Sequence, residues 1–114
     1  FSSAVRNKLD KINIKLKKLK SMTIVLCSKG YPGKYIKNKK IKYQKDLDRN
    51  KKTFIFHAGT KFVDGELVSN GGRVLNVTST GKDFKNIRNN ILKKIKKISW
   101  KEGFFRKDIG WRVI

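Results

Sequence analysis

At 114 residues the chain is one domain, long enough for a modest core and too short for two. Thirty Lys and Arg against eight Asp and Glu give a formal charge of +22, which makes nucleic acid or an anionic membrane the first partners to weigh. The single cysteine, Cys27, excludes an internal disulfide, and the longest apolar run, MTIVLC, is far short of the roughly 20 residues that cross a bilayer.

The basic residues are mainly lysine, interleaved with Asn and Ile, a pattern expected of a coated solvent surface more than of a nucleic-acid footprint. The charge is uneven: +6 over residues 1–20, +8 over 21–56, zero over 57–81 and +8 over 82–114. The neutral stretch HAGTKFVDGELVSNGGRVLNV, residues 57–77, also holds four of the nine glycines. No signal-peptide pattern opens the chain, and a cytoplasmic protein is expected. The first residue is Phe1, so the natural start is expected to lie upstream.

Residues 4–20 begin with a helical turn, and the alternation of Ile12, Ile14 and Leu16 predicts a short strand or edge segment. Met22 to Cys27 reads as a buried strand with an inert thiol, closed by the turn KGYPGK, in which Pro32 fixes φ and the glycines supply positive φ. Residues 36–52 are lysine-heavy with few apolar positions and read as a solvated connection. TFIFHA, residues 53–58, is a second strand. Asp64-Gly65 between two apolar pairs predicts a two-residue hairpin. RVLNVTS then alternates, which predicts that Arg73, Leu75 and Val77 share one face.

From Phe84 the apolar residues Ile87, Ile91, Ile95 and Ile98 recur at helical steps, with Asp83 as N-cap and a cationic last turn. A basic amphipathic helix can lie on a membrane, but packing on a sheet with lysines outward is the simpler reading. The aromatic tail EGFFRKDIGWRVI is expected to dock back onto the sheet. The architecture is α+β: a mostly antiparallel sheet of four to six strands with one long helix.

No complete catalytic set exists. One histidine and eight scattered acids do not make a metal site, and GYPGK lacks the spacing of a phosphate-binding nucleotide loop. GGRV is the suggestive motif. Gly71 and Gly72 allow close backbone approach or positive φ, and the Arg73 guanidinium can hold a phosphate or carboxylate with two parallel hydrogen bonds. His57 and Thr60 of HAGT fall nearby at a strand end, with Lys61 following; His57 alone also reads as a satisfied core histidine.

CSKGYPGKY, FHAGTKFVDGELVSNGGRVLNVTSTGKDF and FFRKDIGWRVI together resemble the C-terminal domain of the phosphoribosylamine–glycine ligases, an ATP-grasp family. The resemblance runs from about residue 9 to Ile114, with ordered blocks at residues 28–33, 57–60, 71–75 and 106–112. It implies a rudimentary hybrid, barrel-like domain over residues 21–114, preceded in residues 1–20 by the end of the ATP-grasp portion, and a natural C-terminus.

The family activates glycine as an acyl phosphate with ATP and Mg2+ or Mn2+. The amine of 5-phosphoribosylamine then attacks to give glycinamide ribonucleotide in purine biosynthesis. The resemblance implies that ATP and metal bind to upstream lobes, that no catalytic or metal residue lies in this chain, and that its partners are those N-terminal and ATP-grasp domains. It implies a phosphoribosylamine-side set of Arg73, Lys61, His57, Thr60, Gly71 and Gly72. A free-standing basic module binding nucleic acid is the alternative, disfavoured because a lysine-poor island with no exposed aromatic run is poor for base stacking; a duplicated or degenerate scaffold protein is a third.

Overall fold

The first strand, β1 (Lys20–Ser28), alternates as MTIVLC requires: Met22, Ile24, Leu26 and Ser28 are buried and the residues between them are not. The computed structural model describes residues 2–44 and 52–114. In chain order it continues with β2 (Thr53–His57), β3 (Thr60–Val63), β4 (Glu66–Ser69), β5 (Arg73–Gly81), the helix Phe84–Ile95 and β6 (Gly103–Phe104). A four-stranded antiparallel sheet has the order β2-β5-β1-β6, and β3 with β4 forms a separate hairpin. The expected α+β architecture is therefore the observed one.

The hairpin turn is the one that Asp64-Gly65 predicts, with φ of 49° and 77° at its two residues. The helix packs Ile87, Ile91 and Ile95 onto Ile24, Leu26, Leu75 and Val77 of the sheet, with Trp100 and Ile41 closing the core. Each aliphatic side chain so buried contributes roughly 1.5–3 kcal/mol. The helix ends at Ile95, short of the predicted Ile98, because Ser99 and Lys42 exchange two backbone hydrogen bonds and the chain must straighten to reach them. Lys94 lies on the apolar stripe. Its stem is buried and its ammonium donates to the carbonyl of Thr53 at the end of β2.

Asp83 caps the helix, accepting from the Asn86 backbone N–H at 2.8 Å and from its side-chain amide at 2.7 Å. Those donors hold its carboxyl below the usual 3.8. A depressed folded pKa means stabilisation that is complete above the ordinary value and lost as pH falls through the folded one. Asp108, held low by Arg106, has the same sign. The thermal midpoint should thus fall on acidification from about pH 5 to 2, and Asp83→Asn should flatten that dependence. An identical pH slope in the variant would exclude the cap as a contributor.

Two expectations change. The helical turn at Ser2–Val5 is present, but Ile12, Ile14 and Leu16 form no strand and are 39%, 77% and 89% exposed. Alternation makes a strand only where an edge offers hydrogen bonds, and no strand of the described residues pairs with this segment. The connection after Pro32 is not all solvated. Asn38 and Ile41 donate backbone hydrogen bonds to Ser69 and Leu67, giving β4 a partner on its second edge, and Ile41 is 4% exposed. Residues 45–51 of that connection lie outside the described residues.

Candidate functional site

The site is built where the hairpin leaves the sheet. Gly59 and Gly71 cross there in contact: a Cβ on Gly59 would stand 2.8 Å from the Gly71 Cα and 2.6 Å from the Arg73 carbonyl oxygen. Asn70 donates to the Gly59 carbonyl, Gly59 to that of Arg73, and the buried Ser28 hydroxyl to that of Gly71 at 2.8 Å. Neither Gly71 nor Gly72 has positive φ; among the glycines that conformation belongs to Gly30, Gly65 and Gly110. The pair is needed for space. Gly72 lies under the Tyr31 ring, whose Cδ2 would be 2.1 Å from a Cβ.

Arg73 does not share a face with Leu75 and Val77. Leu26 pairs with Leu75, yet the next residue, Cys27, pairs with Arg73, so Val74 is an extra residue in β5. Val74 and Leu75 are both fully buried on the helix side. This β-bulge turns Arg73 to the other side, beside Val25 and Asn76.

There an open cleft of about 510 Å³ is lined by Val25, Tyr31, Tyr35, Ala58, Gly72, Arg73 and Asn76. Tyr31 and Tyr35 meet edge to face at 6.3 Å. Among the described residues the Arg73 guanidinium makes no hydrogen bond or ion pair; the Asp108 carboxylate is held by Arg106 at 2.6 Å. An exposed guanidinium that shares a concave surface with two tyrosines is arranged to receive an anion with polar substituents.

The other predicted residues fall elsewhere. His57 pairs with Leu75 and so stands on the helix side, where it is exposed and not a core residue. Its Nε2 is 2.7 Å from the Tyr43 hydroxyl and its Nδ1 3.1 Å from the Thr60 hydroxyl. Lys61 is exposed on β3, outside the cleft lining, and Gly71 shapes the crossing without lining the cleft. Tyr31, Tyr35 and Asn76 were missed. Tyr31 and Tyr35 flank a turn that accounts for itself by Gly and Pro, and only the size of an aromatic beside GYPG hints at a second role.

Burial pushes the Cys27 thiol up, against the smaller opposing effect of Arg73, as expected of an unreactive thiol. Among the described residues no three His, Cys, Asp or Glu side chains come together to hold a metal ion, and no helix is long and apolar enough to cross a membrane.

The +22 charge predicts sequence-blind binding to duplex DNA at low salt that fades as counterions compete. Fluorescence anisotropy across a salt series checks this. Sub-micromolar affinity kept at about 0.2 M salt with preference for one sequence would favour a nucleic-acid module instead.

Residues 21–112 match the family described as phosphoribosylglycinamide synthetase, C domain. The chain is 42% identical over 106 residues to a phosphoribosylamine–glycine ligase of Agrobacterium fabrum, covering 93% of this chain and 25% of that protein. It is 39% identical to the chloroplastic phosphoribosylamine–glycine ligase of Arabidopsis thaliana, covering 98% of this chain and 21% of that protein. A crystal structure of phosphoribosylamine–glycine ligase from Thermotoga maritima superposes with a TM-score of 0.67 at 32% identity, covering 77% of this chain and 21% of that one. The chain thus spans about a quarter of the length of the curated relatives it matches.

Proposed function

Since the chain belongs to the phosphoribosylglycinamide synthetase C-domain family, we propose that it works as the C-terminal domain of a phosphoribosylamine–glycine ligase. Its contribution is one wall of the phosphoribosylamine site. The overall reaction is ATP, 5-phosphoribosylamine and glycine to glycinamide ribonucleotide, ADP and phosphate. The observation that carries the reading is Arg73 in its cleft, turned there by the bulge at Val74 and without a carboxylate partner among the described residues.

The guanidinium fork matches the ribose 5-phosphate dianion, and Tyr31 and Tyr35, which line the same space, supply hydroxyls for sugar oxygens. Gly72 keeps the Tyr31 ring close to the chain, and the Gly59–Gly71 crossing fixes where β5 starts. His57, bonded to Thr60, holds the turn that carries Ala58 to the cleft, and Lys61 adds positive potential beyond it. ATP and Mg2+ or Mn2+ are assigned to the N-terminal and ATP-grasp parts of the ligase that this chain does not span, and the setting to the cytoplasm.

The test is a ligation assay with labelled glycine. A full-length ligase carrying this chain as its C-terminal domain should make glycinamide ribonucleotide, and the purified 114 residues alone should form neither product nor ADP. Glycine- and phosphoribosylamine-dependent ADP formation by the 114 residues alone would overturn the division of labour, and an inactive full-length protein would overturn the reading itself.

A further inference from the structure

A phosphate monoester carries about 1.5 to 2 negative charges at neutral pH. Arg73 brings one positive charge to its cleft, so a sugar phosphate held by Arg73 alone keeps part of its charge unanswered. The second cation expected from the sequence, Lys61, is exposed on β3 and outside the cleft lining. Lys40 is committed to Glu66 in an ion pair. Lys37 is placed differently. Its ammonium lies over the Tyr35 ring, 5.4 Å from the centroid, and Tyr35 lines the same cleft as Arg73. The other cation–π pairs among the described residues, Lys20 with Phe84 and Arg112 with Trp111, use rings that do not line that cleft. The backbone on both sides of Lys37 is tied down. Ile36 donates to the Lys29 carbonyl at 3.3 Å, and Asn38, at a φ of 56°, donates to the Ser69 carbonyl at 2.7 Å. The side chain itself is exposed and, among the described residues, has no carboxylate partner.

We infer that Lys37 is the second cationic group of the sugar-phosphate site, parked on the Tyr35 ring and turning onto the phosphate as it binds; this rests on the reading of the Arg73 cleft as the phosphoribosylamine site. A cation–π contact at an exposed position is weaker than a charge-assisted hydrogen bond to phosphate, so an arriving anion draws the ammonium off the ring. The flexible four-carbon stem lets it move while the tied backbone keeps it within reach. The two cations then divide the work. The planar fork of Arg73 orients the phosphate, and Lys37, a compact point charge with three donors, answers its second charge. Tyr35 gains a task beside lining the cleft: its face keeps a cation close without a carboxylate that would neutralise it.

Ribose 5-phosphate and its monoanionic counterpart ribose 5-sulfate separate the two roles, with affinities for a full-length ligase carrying this domain measured by calorimetry. The unaltered enzyme should prefer the phosphate. Lys37→Met should weaken ribose 5-phosphate about 10-fold, as loss of one charge-assisted contact requires, and leave ribose 5-sulfate within about two-fold. Lys37→Arg should keep most of the preference, because it keeps the charge. Lys85→Met, exposed on the helix, should leave both affinities as they are. Arg73→Ala should weaken both ligands. A Lys37→Met enzyme that retains the full preference for phosphate, while Arg73→Ala weakens both ligands, overturns the inference and leaves the reading of the cleft standing. If Arg73→Ala changes neither affinity, the reading falls and the inference falls with it.

Discussion

Arg73→Ala in a full-length ligase carrying this domain should raise the KM for phosphoribosylamine by about 10- to 150-fold, which corresponds to losing a charge-assisted contact of roughly 1.5–3 kcal/mol. The KM for ATP should hardly move, because the proposed function assigns the nucleotide to the parts of the ligase that this chain does not span. Arg73→Lys should recover only part of the loss, since a point charge on a flexible stem cannot reproduce two parallel hydrogen bonds. Steady-state kinetics with each substrate varied in turn decides the matter. An equal loss of ATP affinity would make the arginine structural. No change in either KM would move the phosphate site elsewhere.

Gly59→Val should damage the fold strongly. The new Cβ would meet three backbone atoms, the Arg73 oxygen at 2.6 Å and the Gly71 Cα and N at 2.8 and 3.0 Å. Backbone held by hydrogen bonds from Gly59, Asn70 and Ser28 cannot step aside as a side chain does. Overpacking of this kind costs about 1–3 kcal/mol or more, a fall of roughly 5–15 °C in Tm for a domain of this size. Circular dichroism melts measure it. Gly72→Val should behave differently, since its clash is with the Tyr31 ring, which can swing at the expense of the cleft. Stability should then suffer less than phosphoribosylamine affinity. A Gly59→Val protein melting with the wild type would show that the crossing is not tight.

The hairpin, the capped helix and the sheet strands were legible because each depends on a short local signal: a turn dipeptide, a 3.6-residue stripe, a run of alternating residues. Arg73 was found for its chemistry but placed on the wrong face, and the cause is specific. Val74 and Leu75 are both apolar and both buried, so the bulge leaves no break in the apolar pattern to read. Ile12, Ile14 and Leu16 mislead in the opposite way. Their alternation is plain, but a strand is a property of two chains, and one sequence segment cannot announce its partner. Ile41 was overlooked because a single apolar residue among lysines has no period at all. Tyr31 was visible in GYPGK, yet its contact is with Gly72, forty-one residues away, and only the folded chain brings the two together.

The extra residue in β5 makes the address of the arginine a matter of parity. Above Val74 and below it the strand is out of phase by one, so the side on which Arg73 emerges depends on how many residues are counted, not on which ones. A lineage drifting toward lysine and isoleucine can exchange most of its surface without touching that count. Gain or loss of one residue between Gly72 and Leu75 would carry the guanidinium through the sheet to the helix side in a single event. Length, more than composition, is what has to be kept here.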